Sequence, residues 1–279
     1  VKIRDQGYNE KQPKEIRPKI MLKTQNILLT VFFVTGTILM MIGCARGEAQ
    51  MNSEEGMVEQ EKSVLVFTKT TGFRHESINA GIPAIEQLGE ENDFNVIQTE
   101  DSEQFNEENL GNFDAVIFLN TTLTLFNEDQ RSAFKGYIQN GGGFVGIHSA
   151  SDTEYDWPWY GKLVGAYFDN HPGNPNVRNA VVNVVNAEHL STEHLPENWN
   201  RDDEWYNFQE IPTHTNILLR LDTDSYEGSD HHGNHPISWY HEYDGGRAFY
   251  TGLGHTNESF SEELFLDHLL GGIIYAMGE

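Results

Sequence analysis

The sequence predicts an α/β protein: a three-layer sandwich on a flavodoxin-like, mostly parallel sheet, with a loop-rich insert over the strand ends. Three observations carry this. Short apolar runs alternate with helix-period segments, which calls for βαβ crossovers and a sheet covered on both faces. The rhythm then breaks over 152–212 into a stretch rich in Trp, Asn, Asp and Pro. Hydrophobic residues are 38% and aromatics 11% of the 279, enough for one packed core.

SVLVFTKT, from Ser63, is a continuous apolar strand. Residues 76 to about 91 place Ile78, Ile82, Ile85 and Leu88 at helical spacing, with Pro83 expected to kink or shorten the helix. FNVIQTE and DAVIFLNTT are the next strands, and NEDQRSAFKGYIQNGGG is a helix opened by an Asn cap and closed by glycines. GGFVGIHS is the fourth strand, and within 152–212 only NAVVNVVN has strand character. HTNILLRLD, HPISWYHEY and GRAFYTGLGH are late strands, and SEELFLDHLLGGIIYAM closes as an amphipathic helix. No internal repeat is present.

The N-terminus divides from the rest by charge. Residues 1–43 hold seven of 18 Lys+Arg but three of 43 Asp+Glu, leaving 11 against 40 beyond them. So acidic a surface repels phosphate backbones, and nucleic acid is not an expected partner. From Met21, MLKTQNILLTVFFVTGTILMMIGC has a basic start, an apolar run too short for an ordinary span, and Gly43-Cys44 at its end. It resembles a bacterial lipoprotein signal, which implies lipidation of Cys44 and anchoring in the cell envelope. A plain membrane anchor with an incidental Cys is the alternative. Cys44 is the only cysteine, so the globular part has no intrachain disulfide, thiolate cluster or catalytic thiol. The expected organisation is signal and extension over 1–44, a polar tether over 45–62 and a domain over 63–279.

In open α/β sheets, ligands bind at the carboxyl ends of strands. TKTTGFRH puts His75 in the first such loop, either in that crevice or facing solvent at a helix start. His148 follows the fourth strand, where a turn aims one side chain into the crevice; it is a base, a hydrogen-bond donor, a metal ligand or a satisfied core residue. Ser149, one position past the apex, is the weaker nucleophile candidate. No GxGxxG or GxxxxGK[ST] is present, so no nucleotide cofactor is expected.

GGGFVGIHSASDT, WPWYGKLVGAYFDNHP, DEWYNF, HPISWYHEYDGGRAFYTGLGH and TKTTGFRH, in that setting, make residues 63–278 resemble the trehalose-utilisation, or ThuA-like, family. The resemblance implies a class I glutamine amidotransferase-like fold without its cysteine and a role in disaccharide or keto-sugar metabolism. It marks His75, His148, Ser149, Asp152, His171, Asp203, Glu204, Trp205, Tyr206, Arg247 and His255 as positions on matching motifs. The leading expectation is an enzyme acting on a small carbohydrate. Glu204 or Asp203 serves as acid/base, and His148 and His255 orient or polarise the sugar. Trp205 stacks on it, while His75, Ser149, Asp152, Tyr206 and Arg247 help bind it. Trp205 and Tyr206 as core, and Arg247 paired with Asp244, are the bland alternatives. A carbohydrate-binding lipoprotein without turnover is one rival. The other is a metal-dependent hydrolase, its divalent ion on His148, His171, His255 and one of Asp152 or Glu204. The run DHHGNH, 230–235, falls outside the resemblance and is expected to be an exposed turn.

Overall fold

The protein is described by a computed structural model over residues 61–279. Cys44, the signal and the tether up to residue 60 lie outside the described residues. The first strand, β1 (Lys62–Phe67), starts one residue before the expected boundary.

Five strands are parallel: β1, β2 (Phe94–Thr99), β3 (Ala115–Leu119), β4 (Gly143–Ile147) and β11 (Gly246–Thr251). Every residue of β3 and β4 is buried, because helices cover both faces. Phe144 on β4 packs on Phe134 of α3 (Glu128–Gln139) and Tyr160 of α4 (Pro158–Val164). The next residue, Val145, pairs with Phe249 of β11, whose ring lies on the opposite face against α5 (Glu263–Met277). Side chains alternate along a strand, so α3 and α4 form one outer layer and α5 the other. On the α5 side lies α1 (Ile78–Glu91), which runs through Pro83 unshortened; the short α2 (Glu107–Leu110) packs on α3.

The expectation of a mostly parallel sheet is corrected: the sheet is mixed, with nine strands. Its order is β2-β1-β3-β4-β11-β10-β9-β6-β7, where β6 is Val177–Val184, β7 Asn198–Glu204, β9 Asn216–Leu221 and β10 His235–Tyr243. From β11 onward every pairing is antiparallel. Asp244 and Gly245 join β10 to β11 with φ of 49° and 102°, the two positive values of a tight hairpin turn. β5 (Phe168–Asn170) and β8 (Asn207–Phe208) make a separate two-stranded ribbon. The loop-rich insert therefore holds four strands, β5 to β8, where the pattern had marked one.

In sheet order β7 stands five strands from β4, about 24 Å across a flat sheet at about 4.8 Å per step. Yet Glu204, at the end of β7, touches His148 just after β4. β6 pairs with β9 over Val182–Val184, and the Glu204 contact brings the β6–β7 hairpin back over the carboxyl edge of the parallel strands. That curl builds the site.

Candidate functional site

Four side chains converge at the carboxyl edge. His75 comes from the loop after β1, His148 from the turn after β4, His255 from the loop after β11, and Glu204 from the folded-back β7. Their ligand-capable atoms all lie within 4.8 Å of one another. His148 has φ 48°, a left-handed conformation that costs energy for a residue with a β-carbon and that turns its ring into the crevice. Asn120, Leu123 and Glu154, also at this edge, share that conformation.

Nδ1 of His148 lies 2.9 Å from the Gly252 carbonyl, which only accepts, so Nδ1 carries the proton and Nε2 faces the cluster. Nε2 stands 3.1 Å from Nδ1 of His255 and 3.3 Å from Oε2 of Glu204. Nδ1 of His255 is 3.1 Å from the same oxygen. The other carboxylate oxygen accepts from the amide of Asn176 and lies 3.6 Å from Nδ1 of His171. The Asn176 amide is also 3.4 Å from Nε2 of His255. Burial pushes Glu204 toward its neutral form, but hydrogen bonds and charge from His148 and His255 outweigh it and hold the carboxyl well below its usual range. Burial, reinforced by His148 and His255, pulls His75 down to about 2, so it is neutral. Its Nδ1 meets the Ser149 hydroxyl at 3.3 Å, so Ser149 has the position of an orienting group.

Asp203 and Glu204 have different surroundings, because neighbours on a strand point to opposite faces. Asp203 accepts from the backbone N–H groups of Gly254 and His255 at 2.9 and 3.1 Å and from Arg201 at 3.0 Å. It holds the His255 loop in place and leaves the cluster to Glu204. Asp152 accepts a 2.6 Å bond from the Tyr155 hydroxyl, and burial raises its pKa despite that bond. It is not among the four converging residues, and neither is His171, which lies outside them with an exposed side chain beside Glu204. Tyr206 lies over the His148 ring at 4.1 Å between centroids.

Three expectations change. Trp205 is 0% exposed and donates to the Arg178 carbonyl, so it is core and offers no face to a sugar. Arg247 sits near the start of β11 and donates to the Ala276 carbonyl. Four residues at about 3.3 Å each place it about 13 Å from the carboxyl edge, too far to bind a ligand there. The 230–235 run is only partly an exposed turn: His235 is fully buried against Tyr226, Ser229 and the Tyr206 carbonyl, and His231 accepts from the Phe208 N–H.

Two residues that the sequence reading did not assign to the site stand at it. Asn176 had no signal beyond its place in the insert. Phe73, in TKTTGFRH, is 68% exposed with its ring edge-on to His75 at 4.9 Å. A surface groove lined by Lys162, Tyr167, Glu210 and His214, among others, shares no residue with the cluster.

A family model described as "ThuA: Trehalose utilisation" matches residues 63–276. Two solved structures share the fold. A putative ThuA-like protein from Bacteroides uniformis is 24% identical, with a TM-score of 0.66 over 77% of this chain and 91% of the other. One from Parabacteroides merdae is 21% identical, with a TM-score of 0.63 over 78% and 90%. No curated protein matches the sequence.

Proposed function

Because the chain belongs to the ThuA, trehalose-utilisation, family, we propose that it acts in carbohydrate metabolism at the cell envelope. Its substrate is a neutral disaccharide, glycoside or keto-sugar, transformed by acid/base chemistry centred on Glu204, His148 and His255. One observation carries this reading: the Glu204 carboxylate, nearly closed from solvent, lies within hydrogen-bond distance of two imidazoles at the strand ends. A carboxylate kept ionised there takes up positive charge, and His255, the more exposed of the two rings, is placed to exchange a proton with a sugar hydroxyl. Phe73 takes over the part first given to Trp205, since an exposed aromatic beside the cluster suits the apolar face of a sugar ring. The acidic surface favours neutral substrates over anionic ones.

The test is a product assay against a panel of disaccharides and their 3-keto derivatives, beside calorimetric binding of the same sugars. Glu204→Gln should lower turnover by about 100-fold or more while sugar affinity changes little. A wild type that binds sugars and releases no product would instead be a carbohydrate-binding protein. A wild type that binds none would end the reading. The envelope location rests on the 21–44 segment: Cys44→Ser should leave the membrane fraction or remain unprocessed, and normal retention of that variant would refute lipid anchoring.

A further inference from the structure

Three ligand-capable atoms, Oε2 of Glu204, Nε2 of His148 and Nδ1 of His255, form a triangle with edges of 3.1, 3.1 and 3.3 Å. Ligand atoms about 2.0–2.1 Å from one ion stand about 3.3 Å apart in a tetrahedron and about 2.9 Å apart when adjacent in an octahedron. The triangle is the size of one face of either polyhedron. The ring centres agree: His75 to His148 is 5.0 Å, His148 to His255 5.0 Å and His75 to His255 5.1 Å. Imidazoles bound through nitrogen to one tetrahedral ion have centres about 5.2 Å apart.

Hydrogen bonding fixes which atoms are offered. The Gly252 carbonyl holds the Nδ1 proton of His148, so Nε2 is the nitrogen turned to the carboxylate oxygen 3.3 Å away. A nitrogen and a carboxylate oxygen that close in a buried site need a positive charge between them, which a proton or a bound cation supplies. Ser149 holds Nδ1 of His75, and no hydrogen bond engages its Nε2 among the described residues. Asn176 holds the outer oxygen of Glu204. Such outer partners fix ligand rotamers and tautomers around metal ions.

We propose that His148, His255 and Glu204, with His75 as fourth ligand, bind one divalent first-row transition-metal ion of the zinc type. Three imidazoles and a carboxylate suit such an ion and not magnesium or calcium, which take oxygen ligands. The set differs from the one the sequence suggested, with His75 in place of His171 and Glu204 chosen over Asp152. This deepens the proposed function: it rests on that cluster being the working site, though not on the identity of the sugar.

The experiment titrates untagged full-length protein, stripped with a chelator, with Zn²⁺ or Co²⁺ alone. One ion per chain should bind with Kd of about 1 μM or tighter, raise Tm, and with Co²⁺ give the visible absorption of nitrogen and oxygen coordination. Mg²⁺ should not compete. Glu204→Gln and His255→Ala should each weaken binding by about 100-fold, and His232→Ala, on the exposed loop, should not. Circular dichroism confirms that each variant is folded, and His255, partly open to solvent, is the less disruptive of the two sites. A folded wild type that takes up neither ion at about 100 μM, or wild-type affinity retained in both cluster variants, overturns the proposal. With no sugar in the titration, metal uptake without turnover would remove the proposed activity and leave the metal site standing.

Discussion

His148 has two duties, and its substitutions separate them. Its Nδ1 holds the Gly252 carbonyl inside the fold, while its Nε2 faces Glu204 and His255. His148→Ala removes both, and the orphaned carbonyl costs about 1–3 kcal/mol. Asn occupies the left-handed region more readily than Ala and keeps an amide that can donate. His148→Asn should therefore be more stable than His148→Ala by about 1 kcal/mol, while both lose activity or ligand affinity by about tenfold or more. Urea unfolding beside a binding assay reads the two effects, and an Asn variant with wild-type function would make this turn mere architecture. The position was legible in sequence, because a histidine after a buried strand and before a tight turn has few directions to point. Asp203 and Glu204 were legible only as a pair. Choosing between them needed the face of β7, and that face is hidden from a hydropathy reading.

At the scale of elements, β7 shows why. NWNRDDE alternates exposed and buried along its length, but its inward residues are Trp199, Arg201 and Asp203. Burying charge is tolerable because Arg201 pairs with Asp203 and lies over the rings of Trp199 and Phe265. A strand whose core face carries an ion pair gives no apolar period. By contrast α3 announced itself: Asn127 and Gln130 form the reciprocal cap expected of an Asn-led helix. In α5 the pair Gly271-Gly272 looks like a weakness, since Ala in an exposed helix interior gains about 1 kcal/mol over Gly. However, a β-carbon on Gly272 would lie 2.4 Å from the buried Phe249 ring. Gly272→Ala should thus destabilise the protein by about 1–3 kcal/mol through overpacking. A variant with a raised denaturation midpoint would show that the ring gives way.

For the molecule as a whole, buried histidines contribute to the response to acid. His268 is fully buried, donates Nδ1–H to the Ser191 carbonyl at 2.7 Å, and burial lowers its pKa to about 3; His235 is lowered to about 4 for the same reason. Both lie below the ordinary value near 6.5, so the unfolded chain binds the extra protons first as pH falls. Their contribution is complete above about pH 6.5 and is lost progressively toward pH 4, at up to about 1.4 kcal/mol per pH unit for each. Replacing His268 by Gln should remove one such proton from the slope of unfolding free energy between pH 6.5 and 4. An unchanged slope would mean that other groups govern acid unfolding. The sequence by itself determined the α/β class, the parallel strands, their helices and the turns bearing His75, His148 and His255, because apolar period, caps and glycines act over short spans of chain. Only the tertiary structure decided the mixed sheet, the burial of Trp205, the distance of Arg247 and the choice of Glu204. The choice of Glu204 depends on the β6–β7 hairpin curling over the strand ends, and all four are fixed by strand pairing and packing between residues far apart in sequence, which leave no local periodicity to read.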